Sequence, residues 1–451
     1  MSGLLGQRAI VIGAGIGGLS AAGALANSFE RVEVLERDHL AGVTASRTGT
    51  PQDRHPHALL AGGLQALEDV FPGFSDELAR AGAVPVKVAQ EVRFELPHLG
   101  VVPNRDFSIS LLCASRPLIE FVLRHQAEMM PNIFFRPVCR ATEILPTKSG
   151  DAVRGLRINA ESGRSETITA DLIVDASSRG ALTSALLDAL NWQRPAVTEI
   201  GVDISYASAV VQIPPDPPSE WKLALTFPDP PHLALNGVLP PIEGDRWMVL
   251  VANRGATARP ETWEDFLGAC RSLITPTIYS ALRPAKPPDG IRHYGFPASF
   301  WRHFEGLPRL PRGLLPVADA LCRFNPVYGQ GMSVAAQEAR LLQNVLSRAA
   351  SEPDPIVALQ AAFLAEVASV LETPWSMSTG PDLAFPNTRG SRPENFEEMQ
   401  QFEAALFRAA VVDPVVHRAL TEVAQLLQPQ SLLREPDITR RIEAASAGTP
   451  P

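Results

Sequence analysis

At 451 residues and a formal charge of -9, the chain has room for two or three packed domains and lacks the cationic excess that a long nucleic-acid groove requires. Hydrophobic residues make up 45% and charged residues 20%, an ordinary globular composition. No uninterrupted apolar run approaches about 18 residues, so no membrane span is expected.

Cys113, Cys139, Cys270 and Cys322 are scattered without a CxxC spacing, so neither a zinc ribbon nor a disulfide-exchange site is expected. No metal site is expected, and the cysteines read as buried thiols in a reducing compartment. The first apolar stretch has no basic leader before it and runs straight into a glycine motif. It reads as a first strand, and the expected location is the cytoplasm.

Residues 8–12 (RAIVI) have the short, wholly apolar character of a parallel strand buried on both faces. The turn GAGIGG follows, then the apolar-periodic helix LSAAGALANSF and a second strand, RVEVLER, at 31–37. Together they make a βαβ unit of the size a dinucleotide site uses. Thr44 to His57 is rich in Gly, Pro, Thr, Arg and His and reads as a loop leading into the helical LLAGGLQALEDVF. SRPLIEFVLRHQA, with a Ser cap and an early Pro, reads as a helix. IFFRPVCRATEIL and VRGLRINAESGRSETITADLIVDAS then alternate as strands.

From 200 to 255 the composition turns to β-type segments broken by Pro and Gly-Asp turns, which predicts a separate, mostly antiparallel sheet. GLLPVADALCRFNPVYGQGMSVAAQEARLLQNVL returns to strand, loop and helix. Beyond about residue 351, helical stretches such as PIVALQAAFLAEVASVL alternate with the Pro-rich PWSMSTGPDLAFPNTRGSRP. The expected fold is therefore α/β. A discontinuous Rossmann-like cofactor domain (1–190 and 299–350) carries an inserted β-sheet substrate domain (191–298), and a helical region (351–451) follows.

Gly13, Gly15 and Gly18 form GxGxxG between a strand and a helix, the context that gives the motif meaning. Gly13 makes the turn, Gly15 admits the pyrophosphate and Gly18 lets helix and strand pack closely. The anion would sit on the helix N-terminus among Ala14, Gly15 and Ile16. Glu36, 23 positions after Gly13, stands where a carboxylate accepts from a ribose hydroxyl, with Arg37 beside it. The motif by itself does not choose between FAD and NAD.

Further segments resemble the flavin monooxygenases of the p-hydroxybenzoate hydroxylase type, and most closely a bacterial branch described as polyprenyl-methoxyphenol hydroxylase-like. They are VDASSRG at 174–180, SRPLIE with Arg116, and LLPVADALCRFNPVYGQGMSVAAQEA, together with RHPHALL near the start and PWSMSTGPDLAFP near the end. The resemblance implies FAD. Arg116 would contact it, Val138 would lie near the adenine, and Asp175 would belong to the site. Asp319 would bond a ribityl hydroxyl, and the loop from Pro326 through Gly329, Gln330 and Gly331 to Met332 would offer backbone N–H groups to the isoalloxazine.

The resemblance also implies a reaction. NADPH or NADH reduces the flavin, molecular oxygen adds at C4a, and the hydroperoxide hydroxylates or epoxidises an apolar or aromatic small molecule. The single GxGxxG argues against a separate NAD domain. Two positions depart from the family pattern, Ala318 and Ser178 standing where glycine is usual. Candidates for polar work are His57 and Tyr206 as catalytic residues, with Arg54 and Tyr294 behind them. The absence of WxWxIP argues against halogenation. The rival readings are an FAD-dependent reductase of an unsaturated substrate and a non-redox FAD-binding protein.

Overall fold

The computed structural model describes residues 4–40, 47, 49–255 and 259–447. Part of the loop expected from Thr44 to His57 lies outside the described residues.

The strand Gly6–Ile12 is the centre of a five-stranded parallel sheet. Phe29–Leu35 and Ile133–Arg136 lie on one side of it, and Leu172–Asp175 and Leu314–Pro316 on the other. Its apolar run is uninterrupted because both faces are covered. Ala9 and Val11 face the helices Ile16–Leu25, Arg116–Glu128 and Gly331–Ala349. Ile10 and Ile12 face an antiparallel layer formed by Arg140–Pro146, Val153–Asn159 and Ser165–Thr169. Leu314–Pro316 joins this sheet from far along the chain, so the cofactor domain is discontinuous as expected.

The second sheet is larger than the segment 191–298. It is built on the long strands Ala196–Gln212, Arg246–Arg254 and Arg292–His303, with Leu223–Thr226 and Asn236–Leu239. It also recruits Val92–Leu96 and Gly100–Val101 from the N-terminal part and Cys322–Arg323 from the returning part. Residue 298 therefore falls inside a strand. Pairing between Val92–Leu96 and Leu223–Thr226 is parallel and joins residues far apart in sequence, a register that no local pattern announces.

The C-terminal region differs most from expectation. The helix Pro355–Leu383 runs through Pro374 and Pro381 instead of stopping at the Pro-rich tract. Its interior is buried against Gly331–Ala349 through Ile356, Leu359, Phe363 and Val367. Ser378 and Thr379 donate to the Trp375 carbonyl at 3.0 and 2.8 Å, side-chain bonding that accompanies a disturbed helical ladder. Burial thus outweighs a cost of about 3 kcal/mol per interior proline. By length and composition this helix could cross a membrane, with 39% of its most apolar window buried. Phe396–Val412, Pro414–Ala424 and Pro436–Ala447 form a further helical cluster around Leu406, Ala409, Val416 and Ile438.

Candidate functional site

The turn at the end of Gly6–Ile12 is built around its glycines. Gly13 has φ +103°, a region L side chains rarely enter. A Cβ on Gly18 would lie 1.8 Å from the Gly13 carbonyl oxygen, so only glycine permits this helix to start so close to the strand. Gly15 precedes the helix in an extended conformation, and no side chain caps it. The first N–H groups of Ile16–Leu25 therefore remain available to an anion.

Two arginines flank that anion site. A Cβ on Gly15 would lie 4.0 Å from Nη2 of Arg116. Arg47 contacts Glu120, stands 3.2 Å from Glu36 Oε2, and donates to the Ala14 carbonyl at 3.3 Å. Glu36 is buried at the strand end and accepts from the Ala14 and Asp38 N–H groups at 2.8 and 3.0 Å. Its neighbour Arg37 is exposed. Val138, at φ +50°, packs its backbone on the same strand end, with its N–H 3.2 Å from the Asp38 carbonyl. Asp175 spends both oxygens within its own turn, on Ser177 and, at 2.6 Å, on Thr183.

Across the turn, Ala318 and Ser178 have φ +53° and +58°. These are left-handed conformations that cost a non-glycine residue about 1 kcal/mol. The β-carbon at 318 is accommodated by Gly17: a Cβ there would stand 2.5 Å from that of Ala318. The Ala318 N–H donates to Glu338 at 2.6 Å, and burial, with Asp319 nearby, pushes the Glu338 carboxyl up to about 8. No side chain among the described residues hydrogen-bonds the Asp319 carboxylate, on which the charges of Arg323, Arg116 and Arg302 act. Burial raises its pKa against their pull.

The loop from Pro326 to Met332 is a short 3-10 turn, a left-handed Gly329 and the start of Gly331–Ala349. A buried polar network holds it. Asn325 accepts from Tyr206 at 2.8 Å and caps Val327, and its amide donates to both oxygens of Asp382 at 3.1 and 3.0 Å. Asp382 also accepts from Tyr328 at 2.8 Å and pairs with Arg254. Burial raises the Asp382 pKa against the charge of Arg254 and these hydrogen bonds. Tyr206 is thus committed to positioning the loop. Asn325, Tyr328, Arg254 and Asp382 were not legible as a group, since they come from the loop, a sheet strand and the proline-containing helix.

A mostly apolar cavity of about 430 Å³ opens beside Gly329 and Gln330, between the second sheet and the C-terminal helices. Phe94, Leu223, Leu225 and Leu250 line it from the sheet side, and Met399, Phe402 and Leu406 from the helices. His57, Tyr206 and Tyr294 reach it, whereas Arg54 is exposed. His55 packs its ring 5.7 Å from that of Tyr294 and meets Ser208 at 2.8 Å. His57 Nδ1 lies 2.7 Å from the His55 carbonyl, which can only accept, so Nδ1 carries the proton and Nε2 faces Arg116 Nη1 at 3.4 Å.

Burial and then the Arg116 charge push His57 down to about 3, and burial with His293 and Arg54 pushes His55 to about 4. The unfolded chain therefore binds protons below about pH 6.5 that the folded chain refuses. Stability is fully present above that pH and declines as pH falls toward 4. His57→Gln is expected to flatten this acid-side fall in melting temperature, measured between pH 6.5 and 4. A slope equal to that of the unsubstituted protein would mean that the imidazole is solvated.

The arrangement fits FAD. It offers an uncapped helix N-terminus beside Arg116 for a diphosphate, Glu36 for a ribose and an uncommitted Asp319 for a polyol. The four cysteines are buried and free, and the described residues contain no cluster suited to a metal.

Comparison with known proteins agrees. The family model for FAD dependent oxidoreductase matches residues 9–186. Protein Rv3254 of Mycobacterium tuberculosis (strain ATCC 25618 / H37Rv) is 30% identical over an alignment of 486 residues that covers 98% of this chain and 100% of the relative. The p-nitrophenol 4-monooxygenase PnpA of Pseudomonas putida DLL-E4 shares the fold at a TM-score of 0.65 and 16% identity, over 95% of this chain and all of that one. A triple mutant of the flavin-dependent brominase Bmp2 does so at 0.63 and 14%, over 97% and 98%. A monooxygenase and a brominase on one fold mean that the fold does not select the reaction.

Proposed function

Because the chain belongs to the FAD-dependent oxidoreductases, on the fold of the p-hydroxybenzoate hydroxylase type, we propose that it is a monooxygenase that hydroxylates or epoxidises an apolar or aromatic small molecule, with NADPH or NADH as reductant. The observation that carries this reading is the apolar cavity beside Gly329 and Gln330, the loop that would hold the isoalloxazine. When bound, the flavin would supply the redox chemistry, accepting a hydride and, with molecular oxygen, delivering one oxygen atom to the substrate.

The chain's own part is positioning and exclusion. Arg116 would meet the diphosphate while Arg47 holds Glu36 and Glu120 in place, Glu36 would accept from the ribose and Asp319 from the ribityl chain. The apolar walls keep water from the reacting centre. His57 enters this chemistry neutral, with Nε2 turned to Arg116, so its role is to hold that guanidinium rather than to carry charge itself. Tyr206 acts through Asn325 on the loop.

The purified protein is expected to be yellow, to bleach with NADPH or NADH without air, and to recover its colour while consuming oxygen. A colourless protein that rejects added FAD would overturn the proposal. A yellow protein that neither nucleotide bleaches would favour a reductase with another donor or a non-redox role.

A further inference from the structure

We propose that Glu338 is a positioning residue of the cofactor site and a proton switch on it: it fixes the left-handed turn that presents Asp319, and FAD is held most tightly while its carboxyl carries a proton. The inference rests on the reading of the Asp319 turn and the neighbouring helix N-terminus as the FAD site.

Backbone carbonyls take most of the bonds in this turn. The Val317 N–H donates to the Asp175 carbonyl at 3.0 Å and the Leu321 N–H to the Ala318 carbonyl at 2.8 Å, while Arg302 reaches the Asp319 and Ala320 carbonyls at 3.3 and 3.1 Å. The Ala318 N–H is different. It belongs to the residue at positive φ, and its acceptor is Glu338 Oε2 at 2.6 Å, reaching across from Gly331–Ala349. Asp319 is the next residue, so whatever moves this amide also turns the carboxylate that would accept from the ribityl chain.

Glu338 is 2% exposed, and its Oε1 is buried with no hydrogen-bond partner. Among the described residues no cation forms an ion pair with it, and the charge that acts on it is the like charge of Asp319. A carboxylate with one hydrogen bond, no cation and a like charge nearby is the costly form of the group, so the fold favours the neutral acid. Burial accordingly pushes its pKa up to about 8 against the Ala318 hydrogen bond, with Asp319 adding to the rise.

The other titratable groups packed on this helix are engaged or remote. Ile16–Leu25 brings none, and Glu68 and Asp69 of Ala61–Val70 are taken by the Gly73 and Ser75 N–H groups and by Arg340. On Pro355–Leu383, Glu366 pairs with Arg348, Glu372 is exposed and Asp382 pairs with Arg254. Burial, with the charges of Glu338 and Asp319, keeps the Cys322 thiol protonated.

The same turn touches the diphosphate site. A Cβ on Gly17 would stand 2.5 Å from that of Ala318, and Gly17 lies in the first turn of Ile16–Leu25, whose N–H groups would receive the anion. An ionised Glu338 would set a second buried negative charge beside Asp319, opposing the diphosphate. Bound FAD therefore strengthens the hold of Glu338 on its proton, and by reciprocity the proton favours FAD. Affinity is fully present below about pH 8 and declines as pH rises above it.

The protein freed of flavin is titrated with FAD between pH 6.5 and 9, and Kd is read from the quenching of flavin fluorescence. Kd is expected to be level to about pH 7 and to rise about tenfold by pH 9, roughly one unit above the pKa of Glu338. Glu338→Gln has the shape of the neutral acid and keeps an oxygen for Ala318, so it should bind FAD as the unsubstituted protein does at pH 7 and abolish the rise. Glu338→Leu leaves the Ala318 N–H without an acceptor and should weaken FAD about tenfold at every pH. A level Kd in the unsubstituted protein, a rise that persists in Glu338→Gln, loss of FAD from Glu338→Gln, or unweakened binding by Glu338→Leu would each overturn the assignment. Should Glu338→Leu fail to fold, the unsubstituted protein and Glu338→Gln decide between them. A protein that binds FAD with a level Kd sinks the role of Glu338 alone, while one that binds no FAD at any pH sinks the cofactor site beneath it.

Discussion

Gly18→Ala is expected to yield a colourless protein, or one that loses its flavin on gel filtration, with a lowered melting temperature. The added methyl carbon would stand 1.8 Å from the Gly13 carbonyl oxygen, 3.0 Å from its carbon and 3.3 Å from a Val11 methyl. The first two are backbone atoms, and Gly13 donates its N–H to the Leu35 carbonyl at 2.8 Å, so the turn cannot retreat without disturbing the sheet. Overpacking of this kind costs about 1–3 kcal/mol, and the helix moves away from the strand to relieve it. The N–H groups that would hold the diphosphate move with it, so FAD affinity should fall by about ten- to a hundredfold. Stoichiometric flavin in Gly18→Ala would mean that this turn does not carry the cofactor.

What could be read from the residues follows from the range of the interactions involved. The opening strand, turn and helix are local: burial on both faces shows as an unbroken apolar run, and close approach shows as glycine. Glu36 is legible because its place relative to Gly13 is set by one helix and one strand. The departures at 318 and 178 were visible, but not how the fold absorbs them, because Gly17 meets Ala318 across some 300 residues of sequence. Nor could the strands Val92–Leu96 and Cys322–Arg323 be assigned to the second sheet, since their partners are set by tertiary register. The Pro-rich tract was misread as a break because prolines in a buried helix are outweighed by contacts that composition does not reveal. For the same reason Asp382 stayed hidden in a stretch that reads as loop.

That aspartate carries the second large effect. In Asp382→Ala, Arg254 loses its buried counter-charge, and Asn325 and Tyr328 lose their acceptor. Removing one partner of a buried ion pair costs about 3–5 kcal/mol, because the remaining charge is left uncompensated. The melting temperature should drop by about 5 °C or more. The flavin spectrum should shift with it, since Asn325 and Tyr328 belong to the segment running into the loop from Pro326 to Met332. The double substitution Arg254→Met with Asp382→Ala removes the stranded charge and should recover part of the melting temperature. It should not restore the spectrum, because Asn325 and Tyr328 still lack their acceptor. Such non-additivity is what coupled neighbours show. If Asp382→Ala melted and absorbed like the unsubstituted protein, the network would be incidental packing, and the loop would owe its shape to Gly329 and the following helix alone.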